Sequence, residues 1–173
     1  PVQNGAVRQV IEEIVEDQAE NVSRPERAKI VRELYDEVMG YGPLENLLQD
    51  ESVTEIMVNG PYQVYIERAG KLELSEVTFQ DDDHVMNIID RIVSSIGRHI
   101  DESSPMVDAR LADGSRVNAV IPPLSLTGPV ITIRKFSKKP MTAQDLLRFG
   151  SVSPKMLSFM EACVRGKLNI IVS

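Results

Sequence analysis

The hydrophobic period of this chain changes at Asp50, and that change constrains the fold more than any single motif. Up to Asp50 the apolar residues recur at helical spacing; from Val53 they alternate, and helical spacing returns later in separate blocks. Helices come first, and strands with interspersed helices follow, which makes the expected class α+β.

Between residues 6 and 20, Val7, Val10, Ile11, Ile14 and Val15 line one face of an amphipathic helix whose other face is strongly acidic. Ser23 and Glu26 have capping-box spacing, and Pro25 suits a first turn, so a second helix is expected through Val31, Leu34, Tyr35 and Val38 to a stop at Gly40. Tyr41-Gly42-Pro43 then turns the chain into a short helix over 44–48. Helices this short must bury their apolar faces against one another or against a partner.

Strands are expected over 53–58 and 63–67, separated by Asn59-Gly60-Pro61, and over 71–77 after the Ala69-Gly70 turn. Asp81, Asp82 and Asp83 precede the clearest helix, Asp82 to Ile96, ended by Gly97. Capping explains these aspartates better than a metal cluster does, because no His pair at ligand spacing accompanies them. A hairpin over 106–111 and 116–121 turns at Ala112-Asp113-Gly114-Ser115, and a strand over 130–136 follows. A basic loop (Lys138, Lys139, Pro140) leads to a helix capped by Thr142, and Ser153-Pro154 opens another that Gly166 closes. The expected organisation is an acidic helical subdomain (1–50), a mixed sheet with the helix Asp82 to Ile96 packed on it (51–140), and linker helices (141–173). The apolar run Leu168 to Ser173 reads as a buried parallel strand opening a further domain, or as a last edge strand of the preceding sheet.

Charge is unevenly spread. The net charge is -7, yet residues 1–50 hold 5 basic and 11 acidic side chains while residues 101–173 hold 10 and 6. The acidic first half argues against nucleic acid as a partner, and the basic last third can meet an anion. Cys163 is the single cysteine, there is no leader pattern, and no apolar run approaches the roughly 18 residues of a membrane span, so a reducing, cytosolic setting is expected.

No phosphate loop of the Gly-x-x-x-x-Gly-Lys-[Ser/Thr] type occurs; Gly70-Lys71 and Gly166-Lys167 are each followed by Leu. His84 and His99 read as ordinary surface residues and Cys163 as core. Arg110, Arg116 and Arg134 stand out because each falls on a strand in the basic third. Alternation puts Arg116 on a face with Asn118 and Val120, and Arg134 on a face with Thr132 and Val130. A guanidinium on a rigid strand suits a bidentate grip on phosphate oxygens; the alternative is ion pairing with Asp101, Glu102, Asp108 or Asp113.

Several segments in order carry a family resemblance: Tyr41-Gly42-Pro43-Leu44-Glu45, Val53 to Gly60, Val64 to Arg68, Gly97 to Asp101, Ser104 to Leu111, Asp113 to Asn118 and Thr132 to Phe136. Over about residues 41–173 the chain resembles the CpaF family of Flp/Tad pilus assembly ATPases, within the type II/type IV secretion ATPase superfamily. The resemblance implies an N-terminal domain of a hexameric motor that uses ATP and Mg in the full-length protein. It implies a cytoplasmic location peripheral to the inner membrane, with pilus or secretion machinery as partners. Leu168 to Ser173 would then be the first strand of a RecA-like motor domain supplying the phosphate loop, the Mg-binding residues and the catalytic Glu. This piece alone would neither hydrolyse ATP nor hold it tightly. By motif position Arg116 and Arg134 would reach the nucleotide phosphates, with Arg110 a weaker candidate; the alternative is a docking and oligomerisation domain without nucleotide contact.

Overall fold

The computed structural model describes residues 2–19, 21–136 and 141–172. The chain forms two compact units, residues 1–136 and 137–173.

In the first unit, helices α1 (Val2–Gln18) and α2 (Arg24–Met39) form a hairpin. Ile11, Val15 and Val31 are its buried centre, supported by Val7, Ala19, Ile30 and Tyr35. The Glu26 carboxylate accepts from both the Ser23 N–H (3.1 Å) and the Ser23 hydroxyl (2.6 Å), so the capping-box spacing does set the start of α2. A single 3-10 turn (Gly42–Leu44) leads into α3 (Glu45–Gln49).

Six strands follow: β1 (Val53–Asn59), β2 (Val64–Arg68), β3 (Lys71–Leu74), β4 (Met106–Arg110), β5 (Arg116–Val120) and β6 (Val130–Arg134). They form one sheet in the order β3-β2-β1-β6-β5-β4. The class is α+β, as the sequence implies, but all five pairings are antiparallel where a mixed sheet is expected. The reason is topological. Two three-stranded meanders, each pairing strands that are consecutive in the chain, meet at the β1–β6 seam, and their strands run oppositely there as well.

Helix α4 (Asp82–Ser94) covers one face of the sheet, contributing Val85, Ile88, Ile89, Ile92 and Val93 to a core shared with Ile56, Val58, Val117, Ala119, Ile131 and Ile133. Asp81 caps this helix by accepting the His84 N–H at 2.8 Å, which accounts for the first of the three aspartates.

In the second unit, α5 (Ala143–Arg148) starts at Thr142 and α6 (Pro154–Arg165) at Ser153, whose side chains accept the Asp145 and Met156 N–H groups. Leu168–Val172, expected as a strand, lies in neither helix nor strand, and Ile171 and Val172 are exposed. No described strand in this unit offers its backbone groups a partner. Ser173 and the basic loop Lys138, Lys139 and Pro140 fall outside the described residues.

Candidate functional site

The face of the sheet opposite α4 carries the three arginines, and strand register sets them in one line. Arg110 on β4 is paired with Arg116 on β5, and Arg116 with Arg134 on β6. The row continues to Glu55 on β1 and Glu67 on β2. Adjacent strands lie about 4.8 Å apart, so the guanidinium-bearing positions span roughly 10 Å, enough to meet more than one phosphoryl group. Val117, Ala119, Ile131 and Ile133 are buried under α4, so the alternation inferred from the sequence is the one the fold uses.

Two carboxylates balance part of this charge. Arg116 makes a fork-like pair with Asp108, Nε to Oδ1 at 3.1 Å and Nη2 to Oδ2 at 2.7 Å. Arg134 makes a looser pair with Glu55 at 3.5 Å. Among the described residues no carboxylate pairs with Arg110. Three cations against Asp108 and Glu55 leave the β4–β6 part of the row net positive. The hydrogen bond from Arg116 holds Asp108 below the ordinary carboxylate range, and the same bond, with the charge behind it, raises Arg116. Both guanidinium groups remain open to solvent: the side chains of Arg116 and Arg134 are 65% and 72% exposed. An arriving dianion can therefore compete with Asp108 and Glu55, since an exposed pair of this kind contributes at most about 1 kcal/mol.

The motifs around the arginines are scaffolding. Gly114 has φ +90°, and a Cβ there would meet the Phe136 ring at 3.1 Å. Ser115 is buried; its hydroxyl accepts the Phe136 N–H at 3.1 Å and donates to Asp113 at 3.0 Å. The turn before Arg116 is thus tied to the strand end after Arg134. Within Ile133 to Phe136, Ile133 is core and Arg134 faces the open side. Lys135 Nζ donates to the Leu47 and Asp50 carbonyls at the end of α3, and Phe136 covers Gly114.

A second cluster joins the helical hairpin to α4. Arg91 Nη1 donates to the Glu37 and Gly40 carbonyls, capping the C-terminus of α2. His84 accepts the Gln80 N–H on Nδ1, which places its proton on Nε2, and this donates to Glu37 Oε1 at 2.8 Å. The His84 side chain is 13% exposed, so it is a fastening between elements where the sequence suggests a surface residue. Its partner is 47 residues away, and no local pattern marks it. His99 is exposed beside Asp101, and Cys163 is half-buried on α6. Among the described residues no group of three or more His, Cys, Asp or Glu could hold a metal ion. No described helix is long and apolar enough to cross a membrane.

Comparison with known proteins fits this fold to a family. The family described as Type II/IV secretion system protein matches residues 37–173. An uncharacterized protein of Methanocaldococcus jannaschii is 40% identical over 128 residues, which is 72% of this chain and 18% of that protein. The type IV secretion system protein VirB11 of Brucella suis biovar 1 is 33% identical over 109 residues, 62% of this chain and 30% of that protein. The crystal structure of the VirB11 ATPase from the Brucella suis type IV secretion system, in complex with sulphate, is similar with a TM-score of 0.56 and 28% identity, covering 72% of this chain and 43% of that one. The chain thus spans less than half the length of these relatives. With the family match running through the whole sheet and both helices beyond it, the chain belongs to the type II/IV secretion system protein family.

Proposed function

We propose that this chain is the N-terminal, phosphate-clamping region of a secretion ATPase of the pilus-assembly kind, which couples ATP hydrolysis to pilus assembly or protein export. The observation that carries the reading is the line of Arg110, Arg116 and Arg134 across three neighbouring strands, partly neutralised and open to solvent. Guanidinium forks fit phosphate oxygens, and the similar VirB11 ATPase from Brucella suis was solved in complex with sulphate, a tetrahedral dianion of the same kind.

In this reading ATP and Mg belong to the full-length protein, whose motor domain supplies the phosphate loop and the metal-binding residues. The ladder completes the site from the other side. Nucleotide favours the closed arrangement by its differential contacts with the arginines, and hydrolysis releases it. The working form is a homo-hexamer at the cytoplasmic side of the inner membrane, with the helical hairpin as a docking element for the pilus or secretion machinery.

The Asp108–Arg116 and Glu55–Arg134 pairs support a second reading, in which the row is structural and the chain is a docking and oligomerisation domain. Arg116→Ala and Arg134→Ala in the full-length protein separate the two. The clamp requires ATP turnover to fall by about tenfold to a hundredfold while the oligomer persists. Unchanged turnover in intact hexamers rejects it, and loss of the hexamer supports the structural reading.

A further inference from the structure

The α1–α2 hairpin has two unlike sides. In an antiparallel helix pair, a two-fold axis perpendicular to both helices relates them, so residues equally offset from the buried stripe fall on the same side. Arg8 and Arg32 each follow a residue of that stripe (Val7 and Val31), and both line one cavity of about 280 Å³ with Asn46 and Gln49 of α3. Val10 and Ile14 each precede a stripe residue (Ile11 and Val15), as Ile30 and Leu34 precede Val31 and Tyr35. They therefore share the opposite side. There Val10, Ile14 and Leu34 are 53%, 52% and 41% exposed, an apolar strip across two helices.

The rims of this strip are acidic. Around the helices from Val10 and Ile14 come Glu13 and Asp17; from Ile30 and Leu34 come Glu26, Glu33 and Glu37, the last of these held by His84. Lys29, a cation next to that rim, is paired with Glu33 at 3.6 Å; Arg27, three residues before Ile30, is half-buried with its Nε donating to the Val22 carbonyl at 3.1 Å; and Arg8 pairs with Glu12 away from the strip. An apolar strip between two acidic rims is the complement of a helix with an apolar stripe and basic flanks. It repels anionic lipid and nucleic acid.

We propose that the strip formed by Val10, Ile14, Ile30 and Leu34 receives an amphipathic helix of another protein, with Lys or Arg flanking its apolar stripe. The apolar contacts give affinity, and the rims give selectivity and orientation. This goes beyond the phosphate clamp and does not depend on it, because the arginine row lies on a different element and is read by ATP turnover.

The test uses the 173-residue chain and two synthetic helical peptides of about 18 residues, each with Leu at helical i, i+4 and i+7 spacing. One carries Lys and Arg beside the Leu stripe, the other Glu. The basic-flanked peptide should bind at least about tenfold more tightly by fluorescence anisotropy, and its binding should weaken as salt rises. Ile14→Asp, and separately the Glu13→Lys/Glu33→Lys variant, should each lower its affinity by about tenfold. The charge-reversal variant leaves the hairpin core intact, so a folding defect of Ile14→Asp does not blunt the test. Equal binding of the two peptides, or binding indifferent to both variants, overturns the proposal. So does Ile14-dependent self-association of the chain alone, which makes a second copy the occupant, or Ile14-dependent retention on phosphatidylserine vesicles.

Discussion

Arg116 and Arg134 stand directly opposite each other on β5 and β6, two like charges in register, and each is held by a carboxylate from the strand on its far side. Like charges directly opposite destabilise an antiparallel pair. Asp108 and Glu55 offset that repulsion without closing the site to an anion.

Removing Asp108 should therefore improve the row as an anion site. Asp108→Asn is expected to tighten binding of inorganic phosphate or sulphate by about twofold to fivefold, since it deletes the group that competes for the Arg116 fork. Arginine side-chain NMR shifts during a phosphate titration measure this. Unchanged affinity means that Asp108 does not compete.

The turn before Arg116 depends on Gly114, where φ is +90° and the Phe136 ring closes the space. Gly114→Ala should destabilise the chain by about 1–3 kcal/mol, combining backbone strain with the contact. A urea denaturation midpoint that stays put contradicts this.

Arg91 should matter to the hairpin more than to the sheet. Arg91→Ala leaves the Glu37 and Gly40 carbonyls without their donor. It is expected to cost about 1–3 kcal/mol. Amide exchange should quicken in the last turn of α2 before it does in β5 or β6.

The Asp50 carboxylate accepts from the Ser52 hydroxyl and N–H and pairs with Arg68, which lowers its pKa to about 2. A depressed carboxylate pKa contributes stability that is fully present above the ordinary value of about 3.9 and is lost as pH falls through the folded value. The stability difference between the natural chain and Asp50→Asn should be largest at neutral pH and shrink between about pH 5 and pH 2. Denaturation midpoints over that range decide it; a difference constant with pH rules it out.

What could be read from the sequence was local. Periodicity located the helices and strands, the Ser23/Glu26 spacing placed the α2 cap, and alternation put Arg116 and Arg134 on an open face. Their alignment into one row depends on how β4, β5 and β6 register, and the balancing Glu55 lies 79 residues from Arg134. Alternation reports faces and is silent about register and strand direction, which is why a mixed sheet was a reasonable expectation for an antiparallel one. The His84–Glu37 and Arg91–Gly40 contacts escaped for the same reason: each joins elements about 50 positions apart, through side chains that look ordinary where they stand.

The seam between the two meanders has a mechanical consequence. The chain enters β1 at Val53 and leaves β6 at Arg134, and because the pair is antiparallel these two points lie at the same end. Tension applied along the backbone through them peels the seam open one bond at a time from that end, whereas pulling from opposite ends would load all of its bonds together. Lys135 sits where peeling must begin: its N–H donates to the Thr54 carbonyl at 2.9 Å, and its ammonium is fastened to the end of α3. A single lysine beside the arginine row thus rivets the point that must give way before this sheet can unzip.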